Sequence, residues 1–138
     1  MDLIGEMQKT VGEAKGVAGL EDFAGKVENS VNKLAEVGMH MGTIAMSPQV
    51  LNAFASAYPF MEVTGDVVMA WMLLWRATVA ARKLNEGAKK KDTAFYEGQL
   101  KSAEYFTSVI LPVTLGKMEA ILANNSAVVE ISEDSFGG

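Results

Sequence analysis

A chain of 138 residues, 49% of them hydrophobic, is the size of one ordinary domain and can bury a core without covalent staples. It has no Cys, which excludes disulfides, thiolate catalysis and Cys-ligated metal centres and suits a reducing cytoplasm. A net charge of −5 opposes nucleic-acid phosphate, so no nucleic-acid partner is expected.

In chain order, Leu3, Ile4, Met7, Val11 and Ala14 predict a short amphipathic helix over residues 2–15, ended by Gly16 and Gly19. Charge interrupts its first turns and leaves no apolar core for a signal peptide. From Leu20 the positions Ala24, Val27, Val31, Leu34, Gly38, Met41 and Ala45 alternate steps of four and three, the spacing of a bundle seam. Gly38 and Gly42 would let a neighbouring backbone approach. Ser47-Pro48-Gln49 is a break, and Val50, Leu51 and Phe54 form a short apolar connector.

The stretch from Tyr58 to about Lys83 predicts a long helix that is apolar on most of its circumference. One stripe is Met61, Gly65, Val68, Met72, Trp75 and Val79; the adjoining one is Val67, Trp71 and Leu74. The first is assigned to the core and the second to an interface. Its longest apolar run, Val67 to Trp75, falls well short of the ~20 residues of a membrane span. Gly87 in the loop Asn85–Asp92 stops this helix, and Asp92 would cap the next. That last helix should run from about Thr93 to about Leu122, with Phe106 and Ile110 facing inward and a kink at Pro112. The tail after Asn124-Asn125-Ser126 is expected to pack across the bundle or fray.

These elements predict an all-α protein, an up-and-down four-helix bundle with a short N-terminal helix and an irregular C-terminal tail. The expected divisions are 1–19 for the helix and linker, 20–126 for the bundle and 127–138 for an extended tail. Candidate core residues are Met61, Val68, Met72, Trp75, Phe106 and Ile110; candidate interface residues are Val67, Trp71 and Leu74.

Chemistry-bearing constellations are sparse. His40 is the only histidine, and Glu36 lies four residues before it, where a di-metal helix pair needs Glu-x-x-His on two helices. No metal site is therefore expected, and no catalytic or cofactor-binding residue stands out. Glu62 and Asp66, one turn apart, fit the solvent edge of a buried helix better than a carboxylate pair with one raised pKa. Trp71, Met72 and Trp75 could line a pocket for an acyl chain or meet a hydrophobic surface, but core packing explains them more simply. Arg82 and Lys83, with Arg76 before them, complement the helix dipole.

Tyr58-Pro-Phe60, Gly65-Asp-Val-Val68, Trp71-Met-Leu73, Ala77, Phe95-Tyr96, Lys101-Ser-Ala-Glu-Tyr-Phe106 and Val109-Ile-Leu-Pro112 together resemble the extra C-terminal helical domain of acyl-CoA dehydrogenases such as the methylthiopropionyl-CoA and broad-chain bacterial enzymes. The resemblance covers nearly the whole chain and implies a non-catalytic assembly domain. Its partners would be the dehydrogenase body or a second copy of itself, giving a homo-oligomer in the cytoplasm. The FAD and the catalytic Glu of the resembled full-length enzymes would lie outside this chain. Tyr96-Glu-Gly-Gln99 is the nearest approach to that family's Tyr-Glu-Gly-Thr loop and lacks the Thr. Ser132-Glu-Asp-Ser-Phe136 is similar to the carboxyl end of such enzymes, which implies a fragment; the alternative is a free-standing helical binding protein for an acyl chain or a hydrophobic surface.

Overall fold

Asp2 opens the first helix because its carboxylate accepts a hydrogen bond from the Gly5 amide at 3.1 Å, satisfying a donor that the first turn cannot. Asp2→Ala should lower stability by about 1 kcal/mol, read from a denaturant midpoint at unchanged slope. In a computed structural model, which describes residues 2–137, the helices are α1 (Leu3–Lys15), α2 (Glu21–Ala45), α3 (Val50–Ala55), α4 (Ala57–Asn85), α5 (Lys90–Tyr105), α6 (Leu111–Leu122) and the short α7 (Ala127–Glu130). The protein is all-α, with no strand among the described residues.

The apolar spacing of α2 is realised in its first half, where Leu20, Ala24, Val27, Val31 and Leu34 are buried. In its second half the buried stripe passes to Val37 and Ile44, with Met41 half-buried and Ala45 exposed. Among the described residues, a Cβ added at Gly38 or Gly42 would meet nothing within 4 Å, so the close approach expected there does not occur between them. Met7, Val11 and Ala14 of α1 belong to the same core as Val27 and Val31 of α2, Val67 and Leu74 of α4, and Met118 of α6.

Pro112 forces a departure from regular helix, as the sequence suggests, but as a widened turn. Its missing N–H would leave the Ser108 carbonyl unpaired, and its ring would collide with that carbonyl. Residues Phe106–Ile110 instead form one π-helical turn in which the Leu111 amide donates to the Phe106 carbonyl. The wider turn keeps Ala103, Thr107 and Leu111, four apart twice over, on the buried side. Phe106 packs on the core while half-buried, and Ile110 is half-buried beside it.

Gly87 ends α4 at a φ of +88°, where only glycine is unstrained. Asp92 does not cap α5. That helix starts at Lys90, with Asp92 in its first turn. Past Asn124, at a φ of 52°, the tail is not extended: α7 touches α3 and a single 3₁₀ turn covers Glu133–Phe136.

The helix α4 and the rod Lys90–Leu122 are each long and apolar enough, by length and composition, to cross a membrane. Each buries one face in the protein interior, and Glu62 and Asp66 of α4 bond to Lys117 and Thr114 of α6. This is the pattern of central bundle helices.

Candidate functional site

Helix α4 touches α1, α2, α5 and α6, so one of its stripes must face the core. The faces are the reverse of those assigned from the sequence. Val67 and Leu74, the expected interface, are 0% and 1% exposed at the centre of the core, whereas Met61 and Trp75, the expected core, are 62% and 50% exposed. Val68 and Met72 are half-buried. The cause is size. The inner stripe mixes Val63, Val67 and Leu74 with Ala70, Ala77 and Ala81, and Ala24 and Ala103 lie opposite in the core. Helices packed through alanine approach too closely to hold an indole.

Trp71 lies between the two stripes. It is half-buried, and its indole N–H donates to the Thr10 hydroxyl of α1 at 2.8 Å. Its ring stacks on Trp75 with centroids 6.2 Å apart.

Glu62 and Asp66 act separately, each reaching from α4 to α6. Lys117 donates to Glu62 at 2.9 Å, and the fully buried Thr114 hydroxyl donates to Asp66 at 2.8 Å. The hydrogen bond to Glu62, and then the attraction of its charge, hold the Lys117 ammonium above its ordinary pKa. Lys33 is raised in the same way by Glu119 and Glu36, which ties α2 to α6. His40 is half-buried, and its Nε2 has no hydrogen-bond partner.

An apolar groove of about 300 Å³ opens between α4 and α5. Met72, Trp75 and Val79 form one wall, Phe95 and Tyr96 the other, and Arg76 and Gln99 stand at its edge. Trp71 does not line it, so the pocket imagined for Trp71, Met72 and Trp75 holds only the last two. A dinucleotide needs a run of backbone donors for its pyrophosphate. This groove offers mostly side-chain carbon, with the polar ends of Arg76, Tyr96 and Gln99, and no such run of backbone donors, so its residues do not fit FAD.

The described residues thus form an all-α domain with an apolar groove between α4 and α5. Residues 3–132 match the family described as acetyl-CoA dehydrogenase C-terminal like, and the chain belongs to that family. It is 31% identical over 77 residues to the broad-specificity linear acyl-CoA dehydrogenase of Mycobacterium tuberculosis, covering 56% of this chain and 13% of that one. It is 25% identical over 93 residues to butyryl-CoA dehydrogenase of Syntrophomonas wolfei, covering 67% and 15%. The match thus spans about one seventh of the length of these relatives, both of which are acyl-CoA dehydrogenases.

Periodicity missed Asn52 of α3 and grouped Phe54 only with an apolar connector. Asn52 is buried and makes two side-chain hydrogen bonds, while Phe54 is 72% exposed. An Asn inside an apolar connector is the one sequence mark that could have drawn notice to that turn.

Proposed function

We propose that this chain is a non-catalytic assembly domain of an FAD-dependent acyl-CoA dehydrogenase, whose outer α4 face packs against the dehydrogenase body or a second copy of the chain. The observation that carries this reading is the exposed stripe of Met61, Trp75 and Val79 on a helix whose other side already fills the core. Membership in a family of acyl-CoA dehydrogenase C-terminal domains supplies the context. Flavin and substrate would be held by sequence outside this domain, and the absence of Cys suits a cytoplasmic setting.

The test is co-purification with the body of a related acyl-CoA dehydrogenase truncated before its own C-terminal domain. Wild-type chain should be retained, and Trp75→Glu should lose retention while keeping its helical spectrum. Equal retention of the two would remove the α4 face from the proposal. The groove beside Trp75 favours a second reading, a free-standing binder of an acyl chain. A fatty acid that quenched Trp fluorescence saturably, with no retention of the dehydrogenase body, would favour it.

A further inference from the structure

Helix α5 is held by its C-terminal half. Of its 16 residues only Ala103 is buried, and Leu100 packs beside it against Val17, Leu20, Ala77 and Ala81. The first half, Lys90 to Gln99, buries none, and Phe95 stands 62% exposed. Local preferences oppose that half as well. Lys89, at its N-cap, makes no side-chain capping bond, and Lys89, Lys90 and Lys91 set like charges at the positive end of the helix dipole. So short a stretch of helix without burial is marginal in water. Contact from outside the chain is what it lacks.

The same half forms one wall of the groove between α4 and α5. On α4 the facing positions are Met72, Arg76, Val79 and Lys83, which share one helix face along a strip of about 16 Å. One end of the strip is the apolar groove, with Trp75 and Phe95 as its rims. The other end is a shallower recess where Lys83 and Lys89 meet Tyr96, the side chain common to both. Glu86 and Asp92 lie in that recess, and Lys83 reaches Glu86 at 4.0 Å. Arg76, Lys89, Lys90 and Lys91 form no ion pair among the described residues. In a chain whose net charge is −5, unpaired cations are thus gathered beside an apolar groove.

We infer that the groove takes an acidic amphipathic helix of the dehydrogenase body, with apolar anchors between Trp75 and Phe95 and carboxylates on Arg76 and the lysines at the start of α5. This rests on the reading of the outer α4 face as a docking face and names the chemistry that meets it. A small amphiphile fits less well. A bound small molecule has most of its surface enclosed, whereas Trp75, Val79 and Phe95 are open to solvent along the rims. Covering them takes a partner that lies across both helices. A helix laid along the groove does so, with anchors three and four residues apart. Its carboxylates also offset the crowded lysines, so docking stabilises the first half of α5.

The probe is the body of a related acyl-CoA dehydrogenase truncated before its own C-terminal domain. On adding it, amide exchange across residues 90–99 should slow at least tenfold, with α2 unchanged. Phe95→Glu and Arg76→Glu should each weaken retention at least tenfold. Both side chains are exposed, so helical spectrum and thermal melt should stay in place. Arg76→Lys should keep most of the affinity, and added salt should weaken the wild-type complex.

Loss of retention in Trp75→Glu alone, with Phe95→Glu and Arg76→Glu retained and residues 90–99 unprotected, would leave the docking face standing and remove α5 from it. Loss in Phe95→Glu, with Arg76→Glu unchanged and no salt dependence, would overturn an acidic occupant. Protection of residues 90–99 by decanoate and not by the body would give the groove to a small amphiphile. Protection that rises with chain concentration, and not with the body, would give it to a second copy. Either result sinks the inference. If the wild-type chain is not retained at all, the docking face fails with it.

Discussion

Leu74→Ala is expected to destabilise the chain by about 2 to 5 kcal/mol, because it removes a side chain from the packed centre and leaves a cavity that the alanine-lined helices around it cannot close. Trp75→Ala, one position later on the same helix, should cost about 1 kcal/mol or less despite the larger side chain, since half of the indole is already in water. Chemical denaturation of both variants, at concentrations where the chain is monomeric, checks the pair. The reverse order, with Trp75→Ala the more damaging, is what the apolar stripe of Met61, Val68, Met72 and Trp75 suggests when read as a buried seam. That outcome would overturn the orientation of α4 described here.

The disagreement over α4 shows where sequence reading stops. Spacing identifies residues that share a helix face, and the two stripes on α4 are correctly separated by it. Which stripe turns inward depends on the volume left by neighbouring helices, and that volume is set by Ala24 and Ala103, far away in the chain. On α2 only one stripe is apolar, so the choice did not arise and its first half was legible. Pro112 was legible as a disturbance because it lacks a donor, but the π turn is a solution found jointly by Thr107, Leu111 and the core they meet. The candidate site was legible as residues and not as a surface: Met61 and Trp75 share a face that the spacing assigns to the core, yet both are exposed.

The family resemblance was the stronger part of the sequence reading. It rested on residues such as Gly65, Trp71 and Pro112, two of which have an identifiable structural task. Trp71 bonds to Thr10 and Pro112 is accommodated by the π turn. At Gly65 an added Cβ would meet nothing within 4 Å, so packing within the fold places no steric demand for glycine there.

Asn52→Leu is expected to cost about 1 to 3 kcal/mol and to act chiefly on the C-terminal segment. Asn52 is buried at the corner between α2 and α4, and its amide donates to the Asn124 side-chain oxygen at 3.1 Å and to the Ser126 hydroxyl at 2.9 Å. Asn124 in turn donates to Gln49 at 3.0 Å, so one polar clasp joins the turn before α3 to the turn after α6. Leucine has the same number of side-chain heavy atoms and the same branch point, although it is larger, so the substitution removes the hydrogen bonds without emptying the site. It leaves the Asn124 and Ser126 oxygens facing carbon, where an unmade hydrogen bond is most expensive. The tail beyond Asn124 has no buried residue of its own, so the clasp and the touch of α7 on α3 are what hold it against the bundle. Amide hydrogen exchange should therefore accelerate across residues 126–131 by far more than in α2 or α4. A uniform acceleration throughout the chain would show instead that Asn52 supports the whole bundle rather than this one corner.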